Sequence, residues 1–115
     1  GDGVERAIQV EGRRDDVLHL RRRDGTYRQL VPLALTTVVE EAACVHRFQI
    51  VQLAPDRLGL RLMDADRARA GAPALAALRG YLDRDALANV QVLLESGEPQ
   101  PQRHSGKLRQ VVATA

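Results

Sequence analysis

The chain has 115 residues, 44% of them hydrophobic and 28% charged, which is the length and make-up of one folded domain with a single core. Seventeen basic residues against fifteen acidic ones leave a net charge of +2, too small a surplus to specify a nucleic-acid or membrane partner. One cysteine excludes an intrachain disulfide, and with it a disulfide-stapled secreted scaffold.

The first sixteen residues hold a short strand-like stretch, Ala7-Ile8-Gln9-Val10, and then a dense cluster of charge beside a glycine, Gly12-Arg13-Arg14-Asp15-Asp16. Such a cluster reads as a connector. Residues 17–31 read as a β-hairpin, with Asp24-Gly25 as the turn signal and Arg21-Arg22-Arg23 near its tip. Pro32 suits a first helical turn, and Leu35, Val38, Val39 and Ala42 follow at helical spacing, which predicts a helix over 33–43. Val45–Leu53 and Leu58–Leu62 predict two strands joined by a turn at Ala54-Pro55-Asp56-Arg57.

Residues 64–82 are rich in Ala and Leu. Gly71 is expected to separate a polar lead-in from a helix whose first turn holds Pro73 and whose buried stripe is Leu75, Leu78 and Leu82. Residues 89–94 predict a strand with Val90, Val92 and Leu94 facing one way. Ser96–Gly106 reads as a loop, and residues 107–112 as a short closing ordered piece. The expected fold is α+β: a hinge-proximal β-hairpin plus a βαββαβ-like antiparallel sheet with two main helices on one face. That order of elements does not specify function.

The basic residues are sixteen Arg and a single Lys, Lys107. It follows Ser105-Gly106, so a glycine stands next to a compact ammonium group that can meet a phosphate or carboxylate. Alone, Ser-Gly-Lys is a weak motif. It is not a phosphate-cradling loop of the Gly-x-x-x-x-Gly-Lys type, because the upstream glycine is missing.

The two unusual segments together carry a resemblance. Gly12-Arg13-Arg14-Asp15-Asp16 matches the Gly-Arg-x-Asp-Asp hinge motif, and Pro101, Ser105, Gly106 and Lys107 match the Pro-x-x-x-Ser-Gly-Lys motif, of the small C-terminal domain of adenylate-forming enzymes. These enzymes are the acyl-CoA synthetases and their relatives. Val45–Gln52 and Leu58–Leu62 look most like the phenylacetate-CoA ligase branch, near proteins described as synthetases that adenylylate a deazaflavin coenzyme.

The resemblance implies that residues 1–16 are an interdomain strand and hinge, and 17–115 the small domain of an ATP-dependent, carboxylate-activating ligase. Lys107 would be the adenylation lysine, on a loop that Pro101, Ser105 and Gly106 define. Asp15 would be the hinge, and Arg13 would contact the nucleotide. The implied partners are a large N-terminal ATP-binding domain of the same polypeptide and a carboxylate substrate. ATP and Mg2+ would be bound mainly by that larger domain, and coenzyme A would be a candidate acceptor. An isolated small domain would be inactive. The family has a glycine-containing turn soon after the hinge. Here Arg21, Arg22 and Arg23 stand in a longer and more basic tip, as candidate contacts to acceptor phosphates.

The rival reading is a free-standing ferredoxin-like module that binds a small ligand or regulates. An RNA-binding sheet would need exposed aromatics, and Tyr27, Phe48 and Tyr81 are all this chain has. No nucleic acid, metal ligand set or membrane partner is expected, and the single cysteine favours a reducing, cytoplasmic setting. Cys44 is expected to be a small buried hydrophobe rather than a nucleophile. Asp64 and Asp66 are expected at a helix start, Glu40 and Glu41 on a solvated helix face, and His46 and Phe48 in strand packing.

Overall fold

A computed structural model describes residues 15–101 and 108–113. Strands β1 (Leu18–Arg21) and β2 (Tyr27–Leu30) form an antiparallel hairpin. Helix α1 (Pro32–Ala43) is followed by β3 (Phe48–Ala54) and β4 (Arg57–Leu62). Helix α2 (Asp64–Arg84) leads to β5 (Gln91–Leu94), and β6 (Val111–Ala113) closes the described chain. The fold is α+β, with the hairpin, two main helices and a four-stranded sheet, as the sequence predicts.

The sheet runs β5-β4-β3-β6. It is mixed rather than antiparallel: β3 pairs antiparallel with β4, but β6 joins β3, and β5 joins β4, in parallel. Strand β2 pairs with β1 in the separate hairpin, so the sheet's fourth strand comes from residues 111–113 instead. A parallel partner on β3 requires a crossover. The chain after β5 must therefore pass from one edge of the sheet to the other.

The alternation along β3 and β4 assigns the two faces of the sheet. Phe48 and Ile50 stand opposite Leu62 and Leu60, and all four are fully buried with Leu35, Val39, Ala70, Ala74, Leu78 and Leu82 of the helices. The other face carries Gln49 opposite Arg61 and Val51 opposite Gly59. Leu18, Leu20 and Leu30 of the hairpin are buried in the same core, which fixes the hairpin to the rest of the domain.

Helix α2 corrects the expected break at Gly71. One helix runs from Asp64 to Arg84 with Gly71 and Pro73 inside it. Ala70, Ala74, Leu78 and Leu82 recur every fourth residue as its buried stripe, with Leu75 packed beside them. A Cβ on Gly71 would come within 3.0 Å of the Leu94 side chain, so the glycine serves close approach of the helix to β5. The start of α2 is held from elsewhere in the chain. Its N-cap, Met63, makes no side-chain cap, and the Glu98 carboxylate accepts from Asp64 N at 2.7 Å instead. Asp64 and Asp66 occupy the first turn and pair with Arg67 and Arg69.

The end of α2 is a Schellman motif built without glycine. Leu87 N donates to Leu82 O at 2.8 Å, Ala86 N to Asp83 O at 3.3 Å, and Ala86 takes φ 60°. Ala86 is exposed, and this φ disfavours any residue with a Cβ. Ala86→Gly should therefore raise unfolding free energy by about 0.5–1 kcal/mol, measured by denaturant titration with an unchanged slope. A neutral or destabilising outcome would refute the strain assigned to this site. Cys44 has the same backbone handedness at the end of α1, with φ 54°. It is exposed, not buried as expected, because helix termination takes it out of the apolar stripe.

Candidate functional site

Among the described motif residues, Asp15 and Asp16 are both bonded to the last strand of the sheet and the residues before it. Asp15 Oδ1 accepts from Gln110 N at 2.6 Å and from Val111 N at 3.1 Å. Its neighbour Asp16 donates its own N–H to Val111 O at 2.8 Å, and its Oδ2 accepts from Ala113 N at 2.9 Å and from Arg109 Nη1 at 3.2 Å. The two acids thus clasp β6 and the residue just before it. Carboxylates suit this role because an edge strand presents unpaired N–H groups, and hydrogen bonds to an ionised acceptor are the strong ones.

The crossover from β5 to β6 begins on the polar face of the sheet. Glu95 N donates to Leu60 O at 2.8 Å, and Arg61 Nε donates to Glu95 Oε1 at 2.9 Å. Gly59 makes this possible, since a Cβ there would lie 2.8 Å from Glu95 Cδ. Gln49 lies next along the same face. Its side chain is bonded to Arg61, Gln100 and Arg109, and it is 3% exposed. On the far side, Ile50 N donates to Gln110 O at 2.7 Å, and Gln110 Nε2 to His46 O at 2.9 Å.

The other candidates divide. Pro101 is exposed, directly after Gln100. Arg13, Ser105, Gly106 and Lys107 lie outside the described residues, as does the strand-like stretch 7–10. At the hairpin tip, Arg21 pairs with Asp56 at 3.8 Å, and Arg22 Nη2 donates to Asp85 O at 3.4 Å. Both arginines therefore have partners inside the domain; Arg21 and Arg23 are exposed and Arg22 is half-buried. Arg28 Nε meets Asp85 Oδ2 at 2.7 Å, and that hydrogen bond holds the guanidinium pKa above its ordinary value.

Asp24-Gly25 does not form a two-residue turn. The loop spans 22–26, with Arg22 N bonded to Thr26 O at 2.7 Å and Gly25 at φ 92°. The Thr26 N–H, and then its hydroxyl, donate to Asp24 Oδ1 and pull that carboxyl below its ordinary pKa of 3.8. A depressed folded value means that the contribution to hairpin stability is complete above 3.8 and is lost as pH falls through the lower folded value. An NMR titration should find the Asp24 carboxyl protonating below 3.8; protonation at or above it would contradict the turn geometry.

His46 is exposed and Phe48 is core. Glu40 is half-buried and Glu41 exposed. Among the described residues, no three His, Cys, Asp or Glu side chains converge as a metal site, and no helix is long and apolar enough to cross a membrane. A recess of about 580 Å³ between the end of α2 and β5, lined by Arg79, Leu82, Asp83 and Leu87, holds none of the motif residues.

Comparison with protein-family models, curated proteins and solved structures finds no match for this chain.

Sequence reading missed Gln49, Arg61, Glu95 and the part played by Asp16 and Arg109. Gln49 and Arg61 look like ordinary solvent-facing positions in alternating strands. Only the register that sets them opposite each other, and the crossover above them, makes them one network.

Proposed function

We propose that this chain is the mobile small domain of an ATP-dependent, carboxylate-activating ligase that works through an acyl-adenylate. The observation that carries the reading is the Asp15 clasp on Gln110 and Val111. It joins the hinge motif to the stem of the Ser-Gly-Lys motif across 95 residues of sequence. The hinge aspartate is thereby bonded directly to the backbone that begins three residues after Lys107.

In this reading a larger N-terminal domain binds ATP, Mg2+ and the carboxylate, in a cytoplasmic setting. The carboxylate oxygen attacks the α-phosphorus and the bond to pyrophosphate breaks. Lys107 supplies positive charge to the transferring phosphoryl group and the leaving pyrophosphate. Arg13 contacts the nucleotide. The small domain then pivots at Asp15 and turns the hairpin toward the active site for the second half-reaction, with coenzyme A as the candidate acceptor. Arg23 is the tip arginine best placed to meet acceptor phosphates, because Arg21 and Arg22 are engaged within the domain. The clasp also limits where the pivot acts. With the Asp15 side chain and the Asp16 N–H both held by β6, rotation falls on the bonds that precede the Asp15 Cα.

The test is carboxylate-dependent ATP–pyrophosphate exchange by the full-length polypeptide. Exchange that is present in the parent and lost in Lys107→Ala supports the reading. Exchange that is undiminished in Lys107→Ala, or absent from the parent across a broad carboxylate panel, overturns it.

A further inference from the structure

Gln49 uses every hydrogen-bonding position of its side-chain amide. Nε2 donates to Arg109 O at 2.8 Å and to Gln100 O at 3.2 Å. Oε1 accepts from Arg61 Nη1 at 2.9 Å and from Gln100 N at 3.2 Å. An amide has two donor hydrogens and two acceptor lone pairs, so the group is fully satisfied, and it is buried. Gln100 and Arg109 flank the eight residues 101–108, and their carbonyls share one nitrogen. The two ends of that segment are thus held within two hydrogen-bond lengths of each other by a single side chain.

The support beneath Gln49 is equally specific. Arg61 is its directly opposed partner on β4, and Glu95 holds Arg61 from the other side at 2.9 Å. Gly59 leaves the room in which Glu95 lies. β3 is one of the two inner strands of the sheet, beside β6, and Phe48 and Ile50 on either side of Gln49 are fully buried in the core. The amide therefore stands on a strand fixed in the core and holds the two residues that flank the segment carrying Lys107.

We infer that Gln49 is a positioning residue, with Arg61 and Glu95 as its support, that sets the ends of the 101–108 segment for adenylation. The catalytic part of this inference rests on the ligase reading; the structural part does not. Fixing the two ends of a segment limits where its interior can reach, and a charge placed about 1 Å from its target loses much of its effect.

Two variants test it. Gln49→Leu removes the whole amide. Gln49→Glu keeps an acceptor for Arg61 and removes both donors to the flanking carbonyls. In the 115-residue chain, hydrogen exchange of the Gln100 amide, whose acceptor is Gln49 Oε1, should accelerate at least about tenfold in Gln49→Leu, while Ile50 and Leu60 stay protected. In the full-length polypeptide, kcat for pyrophosphate exchange should fall about tenfold with KM for ATP and carboxylate little changed. Consumption of preformed acyl-adenylate should be preserved.

Unchanged exchange of the Gln100 amide in folded Gln49→Leu, or an undiminished kcat in both variants, overturns the proposal. So does a loss of protection throughout the sheet in both, which would make Gln49 a purely structural residue. If Lys107→Ala leaves adenylation intact while Gln100 exchange accelerates as stated in Gln49→Leu, the ligase reading fails and the anchoring role of Gln49 stands.

Discussion

On the proposed ligase reading, replacement of Lys107 by Ala in the full-length polypeptide is expected to lower carboxylate-dependent pyrophosphate exchange by about a thousandfold. The physical basis is the charge that accumulates when the carboxylate oxygen attacks the α-phosphorus. Negative charge spreads over the phosphoryl oxygens and the departing pyrophosphate, and catalysis of such a step is largely placement of opposing charge. An ammonium group in that position acts as a point charge with freely rotating donors. A guanidinium is broad and planar and demands a fork-shaped partner, so Lys107→Arg should recover only a small part of the loss. This is a reason for one lysine to stand in a chain that otherwise uses arginine sixteen times. The variant should consume preformed acyl-adenylate normally, and its thermal unfolding should match the parent, since the core is built from residues 18–92 and Val111. A loss confined to adenylation is the signature of a charge acting on that step. Equal loss in both half-reactions would instead indicate a misassembled domain.

Much of the fold is legible in the residues because local and long-range signals agree. Pro32 followed by a 3.6-residue apolar repeat opens α1, and the Leu58-Gly59-Leu60-Arg61-Leu62 alternation yields β4 with its three leucines buried. The departures share a physical cause: tertiary contacts override a local stop signal or replace a missing one. Gly71 and Pro73 look like a break, yet the Ala70–Leu82 stripe packs on the sheet and carries the helix through both. Ala86 offers no stop signal, but buried Leu87 fixes the termination there. The same holds at the site. Asp15 and Pro101 are visible as motif positions, whereas the partners of Asp15 are backbone N–H groups about which side-chain identities say nothing. Gln49 is less legible still. Its neighbours on either side are Phe48 and Ile50, and a polar residue between two core residues is what any half-buried strand displays. Its importance appears only when the crossover sets Gln100 and Arg109 above it.

A proline at position 15 is expected to separate the two half-reactions, provided it is compared with alanine rather than with the parent. Asp15→Ala and Asp15→Pro both remove the acceptor that holds Gln110 N at 2.6 Å and Val111 N at 3.1 Å, so both should lose about 1–3 kcal/mol of domain stability. Only proline also locks the N–Cα torsion. That torsion is the first one upstream of the clasp, because the Asp15 side chain and the Asp16 N–H are both fixed to β6. If the small domain turns between its two orientations at this bond, Asp15→Pro should slow the second half-reaction about tenfold or more relative to Asp15→Ala. Adenylation should stay within about threefold between the two variants. Single-turnover measurement of acyl-adenylate formation and of its consumption resolves the steps. Equal rates for the two variants in both steps would place the pivot elsewhere in the connector, and equal losses in both steps for proline would assign Asp15 to stability alone. The comparison isolates what proline adds to the connector, a fixed φ, a lost N–H and an extended preceding residue, since everything the carboxylate contributes is absent from both proteins.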